Sequence, residues 1–160
     1  MSGPVAVDAA GADLVIGVGN PLRGDDGAGW WLARRARRHR PAPTVRLVRQ
    51  VTPELALELA EVRRVLFVDA WCAGTPDPVP LLRPLRPEEA REVGVDGGHG
   101  LDPAGLLALA GLLGGARPPG WLLLVPAFDF PHGSALSEAL RARLPEACRL
   151  LESWLTKTPP

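Results

Sequence analysis

The stretch "VIGVGNPLRGDDGAG", residues 15–29, decides how the chain is read: a β-branched apolar run breaks into glycine, asparagine and proline, and two adjacent aspartates follow. Leu14 to Val18 is predicted to be a buried strand meeting a turn. "DDGAGWWLARRARRH", residues 25–39, is predicted to be a helix that takes Asp25 as its cap and ends in a basic last turn. A glycine-rich turn between strand and helix often cradles a phosphate. This one has neither the G-x-G-x-x-G spacing nor a P-loop GK[ST], and two carboxylates would repel a pyrophosphate. A cation is the better guest.

Outward from that stretch the alternation continues. "TVRLVRQ" (44–50) is a second strand, and "TPELALELA" (52–60) a helix with Thr52 as cap and Pro53 in its first turn. "VLFVDAW" (65–71) is the most apolar strand and closes on a single acid, Asp69. "PVPLLRPLRP" (78–87) is a proline-punctuated strand suited to a sheet edge. "DPAGLLALAGLL" (102–113) is a helix capped by Asp102, "GWLLLVPAF" (120–128) a last buried strand, and "SEALRARLPEACRLLESWL" (137–155) a closing helix that Pro145 should kink. Five strands interleaved with four helices predict an α/β three-layer sandwich, its twisted, mainly parallel sheet flanked by helices. The 160 residues are read as one domain, with a core over about 14–155.

Composition narrows the partners. Eighteen basic residues balance eighteen acidic ones, so no global field draws the protein to nucleic acid or an anionic membrane. The run "RRARRHR" is read as a solvated helix face, since no aromatic interleaves it. The longest apolar runs, such as "WLLLV", fall far short of a membrane span, and "MSGPVAVDAAGA" has no basic n-region. Two cysteines, Cys72 and Cys148, make no disulfide framework and no zinc spacing, so a reducing cytoplasm is expected.

In parallel α/β sheets ligands bind beyond the carboxyl ends of the strands. Asp25 and Asp26 follow the first strand, Asp69 ends the third, and His99 lies in the loop "DGGHGLDP". Two carboxylates and an imidazole suit a divalent metal and leave positions open for a substrate. Plainer readings stand beside this. Asp25 caps a helix, Asp26 gains from the helix dipole without any metal, and a histidine flanked by glycines is often simply solvated. Asp69 is harder to dismiss, because an unpaired carboxylate at the end of a buried strand is costly. Cys72 is read as a small hydrophobe, His39 as a partner of the helix dipole and His132 as a weaker candidate on the same edge. Trp30 and Trp31 are read as anchors of the first helix.

"GNPLRGDDGAG" resembles the N-terminal signature of the hydrogenase maturation endopeptidases. "VLFVDA" resembles that family's second block, "GHGLDPAGLLALA" its third, and "LLLVPAFDFPHGSALS" its last strand and the loop before the closing helix. The resemblance covers about residues 14–155, with the blocks in order. It implies a peptidase that removes a C-terminal extension from the large-subunit precursor of a nickel-iron hydrogenase after nickel insertion. Metal ligands carried across are Asp26, Asp69 and His99, with Asp26 and Asp69 as the catalytic carboxylates and Asn20 and Arg23 as weaker substrate contacts. The implied metal is nickel brought by the precursor, with another divalent ion possible in its place. "QVTPELALELA" lacks the GGT-type turn of many members, which bears on substrate choice. No Ser-His-Asp or HExxH arrangement is visible. Two rival readings are a non-catalytic checkpoint that binds the nickel-loaded precursor, and a related peptidase with another precursor.

Overall fold

A computed structural model describes residues 11–72, 74–89, 101–114 and 117–157. The strands are β1 (Asp13–Val18), β2 (Thr44–Val48), β3 (Arg64–Trp71), β4 (Leu81–Leu85) and β5 (Gly120–Pro126). They form one sheet in the order β2-β1-β3-β5-β4, with β1, β2, β3 and β5 parallel and β4 antiparallel to β5. β1 and β3 lie side by side in the middle, with Gly17 opposite Val68. Both are apolar on both faces, as strands covered by helices on each side must be. The edge position of β4 agrees with its proline content: Pro84, which has no N–H to donate, sits in a strand with only one neighbour.

The helices are α1 (Ala28–Ala36), α2 (Leu55–Leu59), α3 (Pro103–Leu112), α4 (Glu138–Arg141) and α5 (Leu144–Thr156). Strand alternation divides the core into two halves. Leu14, Ile16, Val65 and Phe67 pack against Ala56 and Leu59 of α2 and Leu106, Leu107 and Ala110 of α3. Val15, Leu66, Val68 and Leu123 pack against Leu32, Ala33 and Ala36 of α1 and Leu151 and Trp154 of α5. This is the three-layer sandwich expected from the sequence.

Several element boundaries differ from the expectation. The first helix starts later: Gly24–Gly27 is a 3₁₀ turn, and α1 begins only at Ala28. Thr52 caps nothing; Leu55 and Ala56 donate to the carbonyls of Thr52 and Pro53 in a tight entry turn, and α2 is a single short helix after it. The closing segment is two helices rather than one kinked helix. Pro145 falls in the first turn of α5, where its missing N–H costs nothing. Asp102 does cap α3, accepting from Gly105 N at 2.6 Å, with Pro103 opening the helix.

α1 lies directly on the centre of the sheet. A Cβ at Gly29 would overlap the carbonyl oxygens of both Val18 and Val68, and one at Gly17 would come 2.6 Å from the carbonyl oxygen of Gly29. The missing side chains let helix and strands approach closely at the carboxyl end of β1 and β3.

Candidate functional site

The strand order reverses at β1: the chain crosses to β2 on one side and returns to β3 on the other. Such a switch point leaves a crevice at the carboxyl ends of the two central strands. Asp26 enters from the 3₁₀ turn after β1, and Asp69 from the carboxyl-terminal part of β3.

Asp26 is held by its own turn. Its Oδ2 accepts from Asn20 N at 3.0 Å, and its backbone N donates to the Arg23 carbonyl at 3.1 Å. Gly19, with φ of 138°, makes this possible, since a Cβ there would strike the Asp26 backbone. The Asn20 carboxamide is spent locally as well: its Oδ1 accepts from Leu22 N at 3.0 Å, an Asx turn. Arg23 is exposed beside this turn.

Asp69 is half-buried on the strand face shared by Val65 and Phe67. Burial pushes its carboxyl up from 3.8 to about 7; a hydrogen bond from the Ala70 backbone pulls the other way, and the Asp26 carboxylate adds a further push upward. The two acids thus sense each other across the crevice. A pair of carboxylates in a partly dry cleft is a site for a cation or for a shared proton.

The remaining candidates separate clearly. His99 lies outside the described residues. Among the described residues, no three His, Cys, Asp or Glu side chains converge as a metal cluster. His132 is exposed on the loop after β5, and Cys72 is not the small buried hydrophobe expected but an exposed free thiol just past β3. His39 stands away from the crevice, with Nδ1 3.0 Å from Glu152 Oε1 of α5. Trp30 anchors α1 as expected, donating from Nε1 to the Val48 carbonyl at 2.9 Å. Trp31 does not bury: it is 40% exposed, with the Arg35 guanidinium over its ring.

Asp25 is the surprise of the site. It is not a helix cap, because α1 has no side-chain cap at all. Its carboxylate points the other way and accepts from Phe128 N, Asp129 N, Ser137 N and Ser137 Oγ, all in the segment after β5. Ser137, read from the sequence only as the first residue of the closing helix, also caps α4 by accepting from Leu140 N at 3.1 Å.

No protein-family model and no curated protein matches the sequence. Solved structures do match the fold. The hydrogenase maturating endopeptidase HybD from E. coli is similar over 90% of this chain and 91% of its own, with a TM-score of 0.67 and 16% identity. The chain has the fold of the hydrogenase maturation endopeptidases. The maturation protease HycI from Thermococcus kodakarensis KOD1 matches over 89% of both chains at a TM-score of 0.64 and 22% identity. A hydrogenase 2 maturation peptidase from Thaumarchaeota archaeon SCGC_AB-539-E09 covers 91% of this chain and 98% of its own, at 0.63 and 23%. The likeness covers about nine-tenths of the chain.

Proposed function

We propose that this protein is an endopeptidase that removes the C-terminal extension of a nickel-iron hydrogenase large-subunit precursor after nickel insertion, recognising the nickel that the precursor carries. The observation that carries the reading is the meeting of Asp26 and Asp69 at the switch point of this fold. Their carboxylate oxygens fit a divalent cation, which would offset the burial that chiefly raises Asp69 and the smaller push from Asp26. Nickel enters as part of the substrate; another divalent ion of similar ligand preference could take its place. His99 completes the set on the sequence resemblance. When bound, the metal supplies Lewis acidity near the scissile carbonyl.

The chain's own part is to hold and to move protons. Asp69, titrating at about 7, can take up or return a proton at its carboxyl oxygen near neutral pH. Asp26, fixed by the Asn20 amide, presents its oxygens without rearrangement. Arg23, exposed beside the Asp26 turn, would meet a substrate carboxylate. A cytoplasmic site of action belongs to the same reading, and the two free thiols agree with it.

The test is incubation with nickel-loaded precursor. Wild type yields the shortened large subunit, and Asp26→Asn, Asp69→Asn and His99→Ala each slow cleavage by about 100-fold or more. Equal cleavage by Asp69→Asn and wild type overturns the site. Tight precursor binding by wild type without cleavage replaces the peptidase with a checkpoint.

A further inference from the structure

Asp25 is completely buried, and its two oxygens accept four hydrogen bonds: Oδ2 from Phe128 N at 2.8 Å, Asp129 N at 3.1 Å and Ser137 Oγ at 2.7 Å, and Oδ1 from Ser137 N at 2.7 Å. Every donor lies on the segment between β5 and α4. Its peptide neighbour, Asp26, is one of the two carboxylates of the crevice. The same segment is laced to the same turn through the backbone. Gly24 N donates to the Gly133 carbonyl at 2.9 Å, Gly133 N to the Leu22 carbonyl at 2.8 Å, and Asp25 N to the Asp129 carbonyl at 3.0 Å. Gly24 has φ of 53°, and a Cβ there would stand 2.7 Å from Pro131 Cδ, so the two segments touch.

The segment held in this way carries Phe128 and Phe130, 40% and 37% exposed. The Phe128 ring is backed by the Arg143 guanidinium 4.5 Å from its centroid, itself anchored by Asp77 and the Pro78 carbonyl. Ala127 N donates to the Trp71 carbonyl at 2.9 Å, two residues past Asp69. Burying a carboxylate is costly even when every lone pair is satisfied, and apolar packing would close this loop at less cost. The charge therefore has a geometric use.

We propose that Asp25 is a positioning residue that locks the Phe128–Ser137 segment to the Asp26 turn, so that the exposed Phe128 and Phe130 and the Asp26 carboxylate keep one fixed relation. The role assigned to Asp26 rests on the function proposed above. The lock itself does not, and it can be read without any substrate.

The experiment compares amide hydrogen exchange in wild type, Asp25→Asn, Ser137→Ala and Ser137→Thr, with precursor cleavage measured in parallel. Ser137→Ala removes one fastener far from Asn20 in sequence. It should speed exchange about tenfold at Phe128 and Asp129 and also at Asn20, whose amide donates to Asp26, while Val15 and Leu66 in the sheet keep wild-type protection. Ser137→Thr, which keeps the hydroxyl, should restore the Asn20 rate. The KM for precursor should rise about tenfold in Ser137→Ala and more in Asp25→Asn. Unchanged exchange at Asn20 in both Asp25→Asn and Ser137→Ala overturns the proposal, as does a loss confined to kcat in proportion to unfolded protein. If Asp25→Asn does not fold, Ser137→Ala alone decides. If wild type does not cleave the precursor, the function fails while the exchange data still decide the lock.

Discussion

At Asp69 burial and a neighbouring charge act in the same direction, and the consequence is a pH dependence of known sign. The folded state holds the proton up to about 7, whereas the unfolded chain releases it near 3.8. Stability from this group is therefore full below 3.8 and is lost as pH rises through 7. Each pKa unit corresponds to about 1.4 kcal/mol, so the loss approaches about 4 kcal/mol. Asp69→Asn, neutral throughout, should be nearly as stable as wild type at pH 4 and clearly more stable at pH 8, as measured by urea denaturation. A constant difference across that range would mean that the carboxyl is not raised. Asp69 was legible because an acid closing an apolar strand has no ordinary use. Asp25 was misread because the residues around it contain a sufficient local use, the helix cap. Nothing within reach in sequence announces that Phe128, Asp129 and Ser137 return to it.

Among the elements, α1 shows how a helix can be fixed by what it lacks. Ala is the better helix former by about 1 kcal/mol, so on propensity alone Gly29→Ala would stabilise. The Val18 and Val68 carbonyls leave no room for the methyl group, and pushing the helix off the sheet costs about 1–3 kcal/mol. The expected outcome is a net loss of stability with a larger loss of cleavage, because Asp26 rides on the turn that enters α1. Thermal unfolding together with precursor cleavage would check both. The starts of β1, β2, β3 and β5 were legible to within one residue, since an apolar run covered on both faces has few other readings, whereas the proline-punctuated β4 is shorter than its reading at both ends. The helices were less so: the 3₁₀ entry before α1 and the break between α4 and α5 depend on tertiary hydrogen bonds and on whether a proline falls inside a helix or at its start.

Across the whole molecule the two ends of the sheet have different work. The amino ends of β1 and β3 are fastened by Asp13 and Arg64, 2.8 Å apart, with the Arg64 guanidinium 4.1 Å from the Trp154 ring centroid and bonded to the Leu155 carbonyl. Burial pushes the Asp13 carboxyl up, but hydrogen bonds from Arg64 and Arg63 more than offset it and hold it below its usual value. Arg64→Ala should cost about 3 kcal/mol, since it leaves Asp13 with Arg63 as its one arginine partner and removes the guanidinium packed on Trp154 of α5. Arg63→Ala, at the more exposed side of the same acid, should cost less. Chemical denaturation of the two variants would separate them. Strand order was beyond the sequence: the alternation names five strands but not which two are central, and only that order brings Asp26 beside Asp69.

The pairing of Gly17 with Val68 also makes the site a reporter of correct folding. Side chains on a strand alternate, so sliding β3 by one residue would carry Asp69 to the opposite face and away from Asp26. No local segment of the chain holds the Asp26 and Asp69 pair. It comes into being only when distant parallel strands have joined, a slow step in chain assembly. A chain trapped short of that step would have its helices but not the pairing of Asp26 with Asp69.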